Sequence, residues 1–480
     1  MLPASAPVSH PNLKVGASSP QMREPSAPQN NCLAHPAING EASSRHVVNF
    51  KRRRAAFAEV VGEGLAIVPT AREHNLYPYR PDSYFRYLTG FSEPEAVLVI
   101  AAGRSILFCR EKDAEREAWT GFRYGPAAAR EVFGFDEALP IDELKQKLPE
   151  LIRDHPALWF APGMDSEWDI SILAALKSAR DTRHAGKGAP ARLYDWRDTL
   201  DVMRMVKDDA EIALMRKAAE ITAAGHLRAM RTCRPGMMEY ELEAEISHEF
   251  RRLGAGGHAY SPIVAGGANA CVLHYTQNDC PLDASDLVLI DAGCEYDGYA
   301  ADITRTFPVN GRFTAIAKDC YEIVLAAQQA AIAATAPNVP LNKPHEAAVR
   351  ILAQGMLDLG LLTGEIDGVI ESQAYRRFYM HNTGHWLGLD VHDVGLWKQT
   401  DAEGRESWPV LLPGMVMTVE PGLYIAASPE LPDALASGIG IRIEDDVLVT
   451  NTGAEVYTHA PRSVTEIEEI MRTHSPDIPA

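Results

Sequence analysis

From residue 64 onward short apolar runs alternate with polar turns. The runs 65–68, 96–101, 105–109 and 157–160 read as strands, while at 141–153 and 166–180 the apolar spacing becomes helical. This alternation predicts a compact α/β domain with a mixed sheet. Before it, Val47, Val48, Phe50, Ala55, Phe57 and Val60 surround the basic cluster 51–54 and predict a first helix with a solvated basic face. Residues 1–45 are rich in Pro, Ser, Ala and Asn and carry no periodicity, the pattern of a disordered tail. Beyond a boundary at 194–207, Asp208 with Glu211 three residues on predicts a helix N-cap, followed by Ile212, Met215, Ala218, Ala219 and Thr222 on one side. Pro235-Gly236 breaks the chain, and 239–253 forms the next helix on Leu242, Ile246 and Phe250. A strand YSPIVAG, a Gly-rich turn at 266–270 and a strand ending at His274 follow; two long helices are predicted at 314–334 and 345–359. The domains are therefore expected at 46–200 and 201–470, with a short tail at 471–480.

The stretch 287–309, LVLIDAGCEYDGYAADITRTFPV, puts Asp291 and Asp302 on two strands joined by a turn at Asp297-Gly298, a strong hairpin signal because Gly takes positive φ freely. With a four-residue loop at 295–298 the two acids are direct cross-strand partners; with a two-residue loop the register moves by two and they stay on the same face. Adjacent carboxylates repel unless a cation lies between them. This stretch alone leaves open a metal site or a surface hairpin with two solvated acids.

Composition narrows the classes. The net charge of −19, from 46 basic and 65 acidic residues, argues against nucleic acid or an anionic membrane as partner and suits cations. Seven cysteines, scattered and never in a Cys-x-x-Cys spacing, indicate neither a disulfide framework nor a thiolate zinc site, so a reducing cytoplasm is the expected home. No membrane span or secretory signal is expected. In the first domain, Tyr77, Tyr79, Tyr84, Phe85, Tyr87, Phe91, Trp119 and Phe122 are read mainly as core.

Further along, MHNTGHWLGLDVHDVG carries His381, His385 and His392 among glycines that permit an unusual backbone path. In MVMTVEPGLYI, alternation sets Glu420 on a face with Val416 and Thr418 before Pro421 ends the ladder. In IGIRIEDDVLVT it sets Arg442, Glu444 and Asp446 on one strand face. Acids projecting from apolar strands are costly unless paired or metal-bound.

In order and context, Asp291, Asp302, His385, Glu420 and Glu444 resemble the ligand set of the dinuclear metallopeptidases with the pita-bread fold. The segments IDAGCEYDGYAADITRTFPV, HWLGLDVHDVG, TVEPGLYI and GIGIRIEDD, with YPYRPDSYFRYLTGFSEPEAVLVI in the first domain, resemble the aminopeptidase P (Xaa-Pro aminopeptidase) family over residues 46–470. The resemblance implies an N-terminal α/β domain of the creatinase/aminopeptidase P type and a C-terminal α+β pita-bread domain. It implies that Asp302 and Glu444 bridge two metal ions, that Asp291 holds one, and that His385 and Glu420 hold the other. Four carboxylates balance two divalent cations, and one imidazole in an oxygen-rich shell suits Mn²⁺, with Co²⁺, Fe²⁺ and Zn²⁺ also compatible.

The implied reaction is removal of the residue preceding proline, by attack of a metal-bridging hydroxide. The resemblance places His274, His381 and His392 around the peptide, and Arg442, two residues before Glu444 on the same strand face, is expected to support a bridging ligand in preference to anchoring substrate. His392 and Tyr424, with Trp119 from a neighbouring subunit, are candidates for the proline slot, the family being oligomeric as dimers or tetramers. Prolidase, methionine aminopeptidase, a creatinase-like enzyme needing no metal and an inactive peptide-binding homologue are the alternatives. The last two are expected to have lost ligands that are all present here.

Overall fold

The computed structural model describes residues 40–73, 78–181, 188–400, 403–431, 435–436, 438–439 and on to 474, with side chains from residue 50. The expected tail falls largely outside these residues, as does Tyr77; the chain is helical from Gly40, and its last helix, Val464–His474, buries Met471.

The first domain is built on a six-stranded mixed sheet in the spatial order Glu137–Pro140, Arg104–Cys109, Val97–Ala101, Leu65–Pro69, Ala157–Trp159, Arg192–Tyr194. The three central strands are antiparallel and the outer pairings parallel. Period-two alternation divides the apolar residues between two faces. Leu65, Ile67, Val97, Val99, Ile106 and Phe108 pack against helices Leu144–Ile152 and Ser166–Asp181, while Ala66, Val68, Leu98, Ile100 and Leu107 join the main core with Phe57 and Phe85. Both faces are covered, which is why these strands read as unbroken apolar runs. Phe85, Tyr87 and Phe91 are core as expected, but Trp119 and Phe122 are 87% and 39% exposed.

The basic cluster differs from expectation. In the first helix, Gly40–Val61, Lys51 and Arg52 are exposed, but Arg53 and Arg54 are buried. Arg53 stacks on Tyr87 and pairs with Asp208 at 2.9 Å and Glu211 at 3.1 Å, and Arg54 donates to the carbonyls of Leu88, Phe133 and Gly134. Their partners lie far off in sequence, so the local pattern could not reveal burial.

The second domain repeats one theme. Helices Asp209–Thr232 and Glu239–Arg252 lead into antiparallel strands, and helices Ala315–Ala334 and Lys343–Asp358 lead into a second set. The helix pairs back the strands, whose other face lines a cleft. Asp208 caps its helix in a reciprocal capping box with Glu211. The Asp297-Gly298 turn has φ of 47° and 82°, both positive, as a two-residue hairpin turn requires. Asp291 therefore faces Thr304, and Asp302 sits two residues away on the same face, so of the two registers considered the shorter loop holds. Gly293 permits the ladder to close here, since a Cβ would lie 1.7 Å from the Ala301 carbonyl oxygen. Two strand assignments are corrected. The Gly-rich segment Gly267–Cys271 is a 3-10 turn and His274 follows it in a turn, not at a strand end; and 439–449 is two strands, Ile439–Arg442 and Asp445–Val449, with Glu444 at the break. No helix among the described residues is long and apolar enough to cross a membrane, and Cys109, Cys233, Cys271, Cys280, Cys294 and Cys320 are free thiols.

Candidate metal centre and substrate cleft

The cleft holds a cavity of about 500 Å³ into which every expected site residue projects except Tyr424 and Trp119. Strand geometry delivers the acids. Asp291 ends the strand Leu287–Asp291, hydrogen-bonded between partners at Ile263 and Thr304. Asp302 lies just before Thr304–Pro308, 4% exposed, and its N–H donates to Asp446 at 3.1 Å. Glu420 follows Val416–Val419, its N–H donating to the Thr383 carbonyl at 2.8 Å. Glu444, 1% exposed, accepts from the Thr304 hydroxyl at 2.6 Å.

His385 is oriented as a metal ligand. A carbonyl can only accept, so the 3.0 Å contact with Trp386 O assigns the proton to Nδ1 and turns Nε2 toward the acids, 3.4 Å from Asp302 and 3.6 Å from Glu420. Ligand atoms of Asp302, His385 and Glu444 lie within 4.8 Å of one another.

The electrostatics call for cations. Burial, then the Asp291 charge, raises the Asp302 carboxyl; burial raises Glu420 to about 7 against the opposing charges of His385 and Arg442; burial and Asp302 put Glu444 well above the usual carboxylate range. Burial lowers the His385 imidazole, but its hydrogen bond to Asp302 and the Glu420 charge outweigh this and bring it to about 9. Among the described residues the Arg442 guanidinium serves this cluster, donating to Asp291 at 2.6 Å. Tyr260 adds a constraint: its hydroxyl is 2.6 Å from Asp291 and also contacts Asp302, yet it carries a single proton. One of those carboxylates thus needs a proton or a cation of its own. The donor set, an oriented imidazole amid four crowded carboxylates, fits divalent metal ions.

The other expected residues fall into distinct positions. Arg442 also donates to the Tyr424 hydroxyl at 3.0 Å and to Thr304 at 3.2 Å. Tyr424, 2% exposed, in turn donates to His381 Nε2 at 2.8 Å, so it stands behind the cleft wall and not at its surface. His381 Nδ1–H donates to Asn382 O, and burial, then Arg442, lowers this imidazole to about 4. The rings of His392 and His385 are 4.2 Å apart, and His274 is exposed on the cleft. Trp119 does not line the cavity of its own chain. Tyr260, Thr304, Asn382 and Trp397 belong to the site without having been expected; only the ladder register, which sets Thr304 beside Asp291, could have signalled any of them.

Residues 213–451 match Metallopeptidase family M24, and residues 50–159 match Aminopeptidase P, N-terminal domain. The Xaa-Pro aminopeptidase of Escherichia coli (strain K12) is 45% identical over 434 residues, which is 88% of this chain and 97% of that protein. The Xaa-Pro aminopeptidase of Haemophilus influenzae is 44% identical, covering 82% of this chain and 89% of that one. Among solved structures, Pseudomonas aeruginosa aminopeptidase PepP superposes with a TM-score of 0.86 at 45% identity, over 89% of this chain and 98% of that one. An E. coli aminopeptidase P variant in complex with substrate gives 0.85 at 44% identity, over the same shares.

Proposed function

The chain belongs to metallopeptidase family M24, among the aminopeptidases P, and on that premise we propose that it removes the N-terminal residue from peptides with proline in second position, using two divalent cations held by Asp291, Asp302, His385, Glu420 and Glu444. The observation that carries this reading is the His385 orientation, with Nδ1–H on the Trp386 carbonyl and Nε2 turned to buried carboxylates. When bound, such cations supply an acidified water as nucleophile at neutral pH and polarise the scissile carbonyl. The oxygen-rich shell favours Mn²⁺.

The chain's own residues bind and orient. Asp291, anchored by Arg442, and the neighbouring acids attract the free α-amine, which accounts for selectivity for an N-terminus. His274 and His392 face the cleft and are the groups available to hydrogen-bond the peptide and pass a proton; burial lowers His392, which keeps it neutral near pH 7. His381, fixed by Tyr424 and Asn382, gives the proline ring an uncharged wall. A tertiary amide needs no acceptor there, whereas another residue's N–H would lie unpaired. Trp119, almost fully exposed on the first domain, closes the slot of a neighbouring subunit in a homo-oligomer. The cytoplasm suits free thiols and this metal set.

The test is hydrolysis of Ala-Pro, Ala-Pro-Ala and Ala-Ala-Ala by metal-stripped enzyme before and after adding Mn²⁺. Restored cleavage of Ala-Pro-Ala, with little of Ala-Ala-Ala, is the expected result. Cleavage of Ala-Pro alone would identify a prolidase, and Glu420→Ala retaining full activity would remove Glu420 from the ligand set.

A further inference from the structure

Beyond His381 the cleft opens into a second, smaller cavity of about 70 Å³, with which it shares Asn382, Gly384 and Trp397. We infer that this side pocket receives the side chain of the substrate residue that follows proline, and that it selects an apolar one; the inference rests on the Xaa-Pro aminopeptidase reading. Its apolar walls are Leu341, Pro344, Met417, Trp397 and Trp408, and its polar lining, Asn342, His345, Asn382 and Thr383, includes no carboxylate, ammonium or guanidinium. The His345 imidazole is itself occupied, its Nδ1 lying 2.8 Å from the Thr383 hydroxyl, and burial lowers its pKa, so the pocket presents no fixed charge. A single water needs only about 10–15 Å³ of such space, so the pocket holds several carbon atoms of an aliphatic chain.

The two tryptophans point to a ligand. They flank the hairpin formed by Gln399–Thr400 and Glu406–Ser407 and remain 41% and 36% exposed, a costly way to keep indoles unless something apolar covers them. The Lys398 ammonium lies 3.6 Å over the Trp408 ring and steadies it at the pocket wall.

Position in the cleft decides which substrate residue reaches the pocket. Tyr260 and Ile263, which adjoin Asp291 through a hydrogen bond and a ladder pairing, line the main cavity and not the side pocket. The side pocket instead adjoins Glu420, whose N–H is held by Thr383 of the pocket wall. An aminopeptidase substrate has nothing before its first residue, and that residue's amine is drawn to the acids. What extends past His381 therefore comes from the far side of the scissile bond.

The experiment compares kcat/KM of the Mn²⁺-loaded full chain for Ala-Pro-Gly, Ala-Pro-Leu and Leu-Pro-Gly, and repeats it with Trp408→Ala and Trp397→Ala. The readout is a ratio within each variant, so general damage to the enzyme cancels. Ala-Pro-Leu should exceed Ala-Pro-Gly by about tenfold, at the low end of what apolar side-chain recognition supplies, mainly through KM. In both tryptophan variants the ratio should fall to within about twofold. A ratio near one in the unaltered enzyme overturns the inference, as does a ratio unchanged in both variants. It is also overturned if the substitutions move Leu-Pro-Gly against Ala-Pro-Gly instead, because the pocket then serves the first residue. Failure to cleave any of the three peptides overturns the proposed function itself, and this inference with it.

Discussion

Arg204 and Asp393 form an ion pair at 2.6 Å in which each side chain is only 1% exposed, and the residue preceding Asp393 is His392. Lys207 reaches the other Asp393 oxygen at 3.0 Å, and Arg204 also pairs with Asp390 at 2.7 Å. Asp390 accepts from Ser83 of the first domain, whose Arg80 donates to the Leu389 carbonyl. The loop bearing His392 is thus held from three directions, and Gly388 leaves the room for it, since a Cβ there would meet Asp393 at 2.2 Å.

Asp393→Asn should accordingly lower kcat/KM by tenfold or more through misplacement of His392, besides costing about 3–5 kcal/mol of stability by leaving Arg204 and Lys207 underpaired. A double-mutant cycle separates the two effects. With His392→Ala already in place, Asp393→Asn should reduce activity little further while its thermal destabilisation persists. Additive losses in activity would show that the ion pair does not act through His392.

Tyr260→Phe should weaken metal binding by about tenfold, the lower end for a group that hydrogen-bonds metal ligands, while the fold is retained. Its hydroxyl touches both Asp291 and Asp302. Titration of metal-stripped protein with Mn²⁺ would measure this, and unchanged affinity would mean that the hydroxyl merely fills space.

The hairpin that carries Asp291 and Asp302 was legible because Asp297-Gly298 is a local signal, and the same locality made the Asp208–Glu211 capping box readable. The four acids and the imidazole of His385 were legible from their contexts; how they are supported was not. Arg53 looked like one of four surface cations because its partners, Asp208 and Glu211, lie about 155 positions away in the chain. Alternation set Glu444 on one strand face with Arg442 and Asp446, but it could not show that the strand breaks at Glu444, where its carboxylate meets the Thr304 hydroxyl of another strand. Trp119 and Trp397 were indistinguishable by type; only the folded cleft separates the one that lines it from the one that does not.

Metal-free protein should lose stability between about pH 7 and 9. The folded pKa of His385 is raised to about 9 from an ordinary value of 6.5, so its proton stabilises the fold fully below 6.5 and progressively less up to 9. A ligating imidazole is unprotonated, so Mn²⁺ loading should flatten this part of the profile. Urea midpoints at pH 7, 8 and 9, with and without metal, test the point; His385→Asn should flatten the metal-free profile as well. An equally steep decline in that variant would assign it to another group.

Arg53→Met should separate the two domains energetically. Arg53 is the cation that neutralises Glu211, which is 4% exposed and accepts from the Tyr299 hydroxyl at 2.9 Å. Burial already holds the Glu211 carboxyl above its ordinary value, and removal of the guanidinium would raise it further. A carboxyl with a raised folded pKa stabilises when protonated and loses that contribution as pH rises, so the variant should suffer more at pH 8 than at pH 5. The cost at pH 8 should approach about 3–5 kcal/mol, the range for breaking a buried ion pair, and Glu211→Gln in the same chain should recover much of it. Urea unfolding at both pH values measures the difference. Equal losses at pH 5 and pH 8, with no rescue by the glutamine, would mean that Arg53 contributes through its packing on Tyr87 and not through its charge.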